Sequence, residues 1–346
     1  MKINILLVLL GAFLVTSCKT TQISIQVLNP AQISLPSDIK TIAFVNRSLL
    51  GKKERFKNIV EGAITGESVF ADRLGSEECI KGVVEGLNNS PRIRGIIPAN
   101  IDIRGTGSRQ FPDPLNWETV DSICKANNVE ALACLEVFDS DCTSKITSRA
   151  ATKKEKNKDI SYTEFTVHLD VNVVSGWRIY YPAGQKIIDQ NTYIDTKSWA
   201  NKSDDPKSAE KGLPYKDDAV SQSGNFAGNQ YAFRISSNWS WVSRIYYSKG
   251  NSDFEQAKRM VKSNDWKGAA ILWQKYINSA NPKISGYACY NLALAAEMDG
   301  NLESAIDWAK KAYVGFKNKS AYTYMNILQK RLNDQYRLDE QMKRVE

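Results

Sequence analysis

Histidine is almost missing from this sequence of 346 residues, in which His168 stands alone, and none of the six cysteines forms a CxxC pair. Tetrahedral Cys/His zinc sites therefore have no ligand pattern to rest on, and no metal site is expected. Phosphate-cradling loops are lacking too. Gly105-Thr106-Gly107-Ser108 has neither the third glycine of a dinucleotide fingerprint nor the Lys-Ser/Thr pair of a P-loop, so no cofactor is expected either. Long hydrophobic runs are scarce: beyond Ile5 to Val15 nothing approaches the ~20 apolar residues that a membrane-spanning helix needs. A strong charge bias is also absent. The 46 Lys and Arg exceed the 38 Asp and Glu by a modest +8, and they are spread thinly apart from Arg149, Lys153, Lys154, Lys156 and Lys158. Nucleic-acid binders cluster their basic residues on one face, so no nucleic-acid partner is expected, and the run from 149 to 158 reads as the tip of a solvated loop.

What is present begins at the N-terminus. Lys2 precedes the short apolar run, and Val15-Thr16-Ser17-Cys18 follows it. A charged start, a short apolar run and small residues before a cleavage point form a secretory signal. With the cysteine in place, the segment resembles the lipobox of bacterial lipoproteins. That resemblance implies that residues 1–17 are a signal peptide, that Val15, Thr16 and Ser17 are read by the signal peptidase, and that Cys18 carries lipid. Several acyl chains on one residue suffice for a stable membrane anchor. Lys19 is not the Asp that marks inner-membrane retention in known lipoproteins, so an outer-membrane anchor is expected; Lys19-Thr20-Thr21-Gln22 lacks the acidic residues that follow a Lys in surface-exposed lipoproteins of Bacteroidota, so it is expected to face the periplasm. Of the other cysteines, Cys79, Cys124, Cys134, Cys142 and Cys289, the odd count leaves at least one thiol free. Cys134 and Cys142 are either a bridging pair or two buried thiols.

Residues 18–38 read as a lipidated N-terminus with a lead-in strand, and 39–215 as an α/β domain. Ile39 to Val45, Ile93 to Ile97 and Ala131 to Phe138 are short apolar runs expected as strands. Between them, Ile80, Val83, Val84 and Leu87, and then Leu115, Val120, Ile123 and Cys124, fall at helical spacing. The order β-α-β-α-β favours a parallel or mixed sheet. It resembles the small α/β domain of the penicillin-binding-protein activator lipoproteins. From Phe165 to Val173 the apolar residues alternate with polar ones, which points His168 outward, and Trp177 to Tyr181 turns at Pro182-Ala183-Gly184 into a further strand. Antiparallel hairpins are expected. Residues 201–216 read as an exposed loop, and Tyr231, Ile235, Trp239, Val242 and Ile245 as a helix.

The last third repeats itself. Ala257, Met260, Trp266, Ala269 and Tyr276 recur 36 positions later as Ala293, Ala296, Leu302, Ala305 and Ala312. With Leu292 and Gly300 in the second copy, this resembles the tetratricopeptide repeat (TPR), whose period is 34. Cys289, Ala309 and Lys317 depart from that family's usual Trp, aromatic and Pro. The resemblance implies that Ala257, Trp266, Ala269, Tyr276, Leu292, Ala293, Gly300, Ala305 and Ala312 are repeat-packing residues, and that 216–346 is a helical tetratricopeptide-like domain. The fold class expected is α+β: a mixed α/β sandwich with antiparallel hairpins, then an all-α repeat domain.

The lipobox, the Ile39 to Ser48 strand, Trp177-Arg178-Ile179-Tyr180 and the repeat near Trp266 together resemble a Bacteroidota lipoprotein family defined only as a domain of unknown function. The function expected is that of a non-catalytic, lipid-anchored envelope adaptor that binds a protein partner through its tail. The alternative is binding or processing of a cell-wall or surface glycan by the α/β domain, for which Trp177, Tyr181, Trp199 and Trp239 would form the platform.

Overall fold

The computed structural model describes residues 19–49, 66–107 and 109–342; the expected signal peptide, Val15, Thr16, Ser17 and Cys18 lie outside them. The chain forms two compact units. One holds Leu28–Trp239 with 337–342, the other 19–27 with Ser240–Tyr336. Strand β1 (Thr20–Asn29) pairs with the last strand, β7 (Asn238–Tyr247), in a sheet of their own.

The α/β unit is built on a five-stranded sheet. Strand β2 (Thr41–Asn46) lies between β3 (Arg94–Ile96) and β4 (Ala131–Glu155), parallel to both. Strands β5 (Lys158–Tyr181) and β6 (Lys186–Ser203) then continue it antiparallel, in the order β3-β2-β4-β5-β6. Both faces of the parallel part are covered, and for that reason β2 reads as an unbroken apolar run. One face packs Phe44, Leu135, Val173 and Trp177 against helices α1 (Gly66–Leu87) and, later in the chain, Lys216–Ile235. On the other face, Val45, Leu132, Cys134 and Tyr180 pack against α2 (Trp117–Asn127). Helix α2 starts where the Asn116 side chain accepts from Thr119 N, and stops at Asn128 in the left-handed conformation (φ 51°).

A short helix α3 (Pro206–Lys211) precedes α4 (Lys216–Ile235). The expected loop at 201–216 thus contains a helix, capped by Asp205 and seated on the fully buried Ala209. Helix α4 lies against α1 at unusually close range. A Cβ added to Gly224 would stand 2.0 Å from the Gly75 carbonyl oxygen, one on Gly228 2.0 Å from that of Cys79, and one on Gly82 2.1 Å from that of Asn225. Only glycine lets the two backbones meet in this way. Helix α4 therefore belongs with the sheet, although 216 was the expected start of the repeat domain.

Two further expectations are corrected. The helix expected through Trp239 and Ile245 is strand β7, because Ser236 leaves helical geometry (φ −140°, ψ 146°) and burial then alternates with a period of two. The basic run from 149 to 158 is no loop: it is the far end of β4 and the start of β5, joined at Lys156 and Asn157, both at positive φ. Such a pair of left-handed residues matches the twist of a tight hairpin.

The helical unit runs α5 (Ser252–Lys262), α6 (Trp266–Gln274), α7 (Pro282–Met298), α8 (Leu302–Lys310) and, as far as Tyr336, α9 (Lys319–Met342), with one π turn at Lys311–Gly315. Its core comprises Phe254, Trp273, Cys289, Leu294 and Leu328. No helix among the described residues is long and apolar enough to cross a membrane.

Candidate functional site

The repeat positions come together in the helical unit. Ala257, Ala269, Ala293, Ala305 and Ala312 are fully buried, Leu292 nearly so, and Trp266 and Tyr276 are half-buried against the same core. Alanine at these places lets successive helices approach closely. Gly300 takes the left-handed conformation (φ 79°) between α7 and α8. The helix starts repeat as well: Asp265 caps α6 by accepting from Gly268 N, and Asn301, 36 positions on, caps α8 by accepting from Ser304 N.

These helices leave a groove open. A cavity of about 460 Å³ is lined by Trp266 and Trp308 together with Ala270, Leu292, Ala296 and Met298. Asp265, Lys267 and Asp299 also line it. A second hollow of about 420 Å³ shares Ala270 and Leu292 and continues to Ile271, Gln274 and Lys275. Ile271 is 66% exposed, although it sits on a helix with enough turns to bury it. An aliphatic side chain left open at a hollow that shares Ala270 and Leu292 with the tryptophan-lined cavity is the kind of surface a partner covers.

One buried carboxylate sits in the chain between two residues that line this groove. Glu297 lies between Ala296 and Met298, and Arg244 of β7 grips it with two prongs, Nε to Oε2 at 2.9 Å and Nη2 to Oε1 at 2.8 Å. The Tyr324 hydroxyl and the Arg331 guanidinium of α9 donate to it as well. Burial works to raise its pKa, but the hydrogen bonds and charge of Arg244, with Tyr324 and Arg331, outweigh that and hold the carboxyl below its ordinary value. The end of α7 is thereby held by strand and helix together.

A comparable cluster lies in the α/β unit. Glu136, fully buried, accepts from Arg47 (3.0 Å), Arg178 (3.1 Å) and Tyr180 (3.1 Å). The same two guanidiniums donate to the carbonyls of Asp113 and Pro112, so the group clamps that loop over the sheet. It serves the fold.

The four aromatics of the expected glycan platform are scattered in burial. Trp177 is in the core, stacked on Tyr231 with ring centroids 4.3 Å apart. Tyr181 and Trp199 pack half-buried against that core, and Trp239 is 52% exposed. His168 is exposed on β5. Cys134 and Cys142 stand eight residues apart on one strand, ~26 Å at the usual rise, too far for a disulfide. All five cysteines from Cys79 onward are free. Among the described residues no three His, Cys, Asp or Glu side chains gather as metal ligands would.

A family model described as Domain of unknown function (DUF8603) matches residues 39–247, more than half of the chain. The chain belongs to the DUF8603 family. The match spans the whole sheet, with α1 to α4 and β7. A second model, described as Domain of unknown function (DUF6340), matches residues 255–330, from α5 into α9. The groove thus falls in the DUF6340 match and outside the DUF8603 one. No curated protein matches the chain.

Sequence reasoning weighed the aromatics Trp266, Trp273, Tyr290, Trp308 and Tyr324 as a ligand groove against core packing of the repeats; Trp266 and Trp308 line the groove, whereas Trp273, Tyr290 and Tyr324 are buried in the core. The missed signal is Ile271, an apolar residue on the side of α6 away from Ala269 and Trp273. Arg244 and Glu297 were missed as well, since a buried ion pair has no local pattern.

Proposed function

We propose that this DUF8603 protein is a lipid-anchored cell-envelope adaptor, tethered through Cys18 to the outer membrane and facing the periplasm, whose tetratricopeptide-like tail holds a protein partner. The observation that carries the reading is the groove lined by Trp266 and Trp308, with the adjoining hollow that reaches Ile271. The 36-residue repeat, the small residues at its buried positions and the paired Asp265 and Asn301 caps support the repeat assignment. The Bacteroidota lipoprotein resemblance, with its lipobox, supports the location.

The occupant that fits is a peptide segment offering an apolar side chain to the space between the tryptophans. A photo-crosslinking residue in place of Ile271, expressed in living cells, tests this. Capture of a defined protein from position 271 is expected, lost when Ala270→Trp fills the groove and unaffected when the crosslinker sits at the exposed Tyr215 instead. Equal capture from wild type and the filled variant would overturn the reading.

A further inference from the structure

The β4–β5 hairpin reaches past the rest of its sheet. Strand β6 pairs with β5 only from Phe165 onward, and β2 pairs with β4 only as far as Leu135. Residues 149–164 therefore form a two-stranded ribbon neither edge of which pairs with a further strand among the described residues, on the order of 20 Å long at the usual rise per residue. A ribbon of two strands is marginal in water without a packed face, and nearly every side chain of this one is exposed.

Register sorts its charges. Lys145, Arg149, Lys153 and Lys158 fall on one face, and Lys202 of β6 joins them. The carboxylates on that stretch of the face are Glu155 and Glu164, and Glu164 is already engaged by Arg149 (2.8 Å) and Lys202 (3.6 Å). Lys153 lies 3.9 Å from Asp204, with its ammonium 5.5 Å from the Tyr162 ring centroid. Among the described residues no carboxylate lies within ion-pair distance of Lys145 or Lys158. Tyr162 and the 41% exposed Ile160 stand among these cations on the same face. Open strand edges are commonly protected by lysine, but protection is served by charge on either face, whereas here the excess is gathered on one.

We propose that this face of the hairpin is a docking surface for an anionic lipid leaflet. Ammonium groups on flexible stems, spaced along an extended two-stranded ribbon, suit a diffuse layer of headgroup phosphates better than a shaped partner. Tyrosine and isoleucine between the cations suit the boundary of headgroup and acyl chain. The inference stands apart from the groove, which belongs to the other unit.

The test uses the full chain held in nanodiscs of neutral phosphatidylcholine, co-sedimented with free vesicles of phosphatidylcholine alone or mixed in equal parts with phosphatidylglycerol. Binding to the anionic vesicles alone is expected, weakening as salt is raised. Replacing Lys145, Lys153 and Lys158 by Gln should lower the apparent affinity about fivefold per lysine. A charge-matched set, Lys207→Gln with Lys211→Gln and Lys216→Gln, should bind as wild type. Equal binding to neutral vesicles, or equal loss in the control set, would overturn the proposal. So would competition by soluble polyglutamate as effective as that by anionic vesicles, which points to an acidic protein. A triple variant that self-associates while still binding vesicles would assign the lysines to edge protection.

Discussion

Replacing Gly228 by alanine should loosen the α/β unit far more than one methyl group suggests. The added Cβ would stand 2.0 Å from the Cys79 carbonyl oxygen and 2.7 Å from Val83 N, both backbone atoms of α1. No side chain can rotate away, so the helices must separate by more than ~1 Å to restore ordinary contact near 3.4 Å. Separation unpacks Cys79, Ile80 and Val83 of α1 from Ala227, Tyr231 and Ile235 of α4, all buried in one cluster. Overpacking costs about 1–3 kcal/mol and at times more, while alanine returns about 1 kcal/mol of helix propensity. With contact this close at backbone atoms the upper end applies, for a net loss of ~2 kcal/mol. Gly224→Ala meets the Gly75 carbonyl oxygen at the same 2.0 Å. One separation relieves both clashes, so the double variant should cost less than the two singles together. Gly315→Ala, where an added Cβ meets nothing within 4 Å, is the control and should not destabilise. Urea unfolding followed by circular dichroism reads each value. A Gly228→Ala midpoint equal to wild type would refute the close-packing argument.

Other consequences are as direct. Glu297 has its pKa depressed in the folded state, so its contribution to stability is present above its unfolded value of 4.5 and fades as pH falls through the lower folded value; Glu297→Gln should flatten that acid limb in thermal melts. Asp72 is the opposite case, pushed up to about 6 by burial, with Asp139 adding to the shift. Stability that it gives below 3.8 is lost as pH rises through about 6, so Asp72→Asn should raise the melting temperature near neutral pH and leave it unchanged in acid. At Gly300, a Cβ has room but the φ of 79° does not suit an L side chain, and Gly300→Ala should cost ~1 kcal/mol in the same urea assay.

Periodicity made much of this fold legible. Residues of β2, and of β4 as far as Val137, are buried in succession, so their apolar runs stand out, and α2 is bracketed by two asparagines. Strand β7 was misread because Trp239, Val242 and Ile245 also fit a helical spacing. Its inward positions include Arg244, whose charge hides the alternation until Glu297 is seen to neutralise it. The length of β4 and β5 was equally hidden, since their outer halves have no apolar face to mark them. The α1–α4 contact was legible but unread: Gly82 and Gly86, and Gly224 and Gly228, each lie four apart, the spacing at which two helices touch through their glycines. For the groove, the sequence supplied the tryptophans; which of them stay open depends on packing between helices distant in the chain.

The proposed tether at Cys18 carries the membrane reading, and mass spectrometry of the N-terminal peptide from protein extracted from native membranes tests it most directly. The account predicts a peptide that starts at Cys18 and carries fatty-acyl chains on that residue. A peptide that starts at Met1 with an unmodified Cys18 thiol would contradict it.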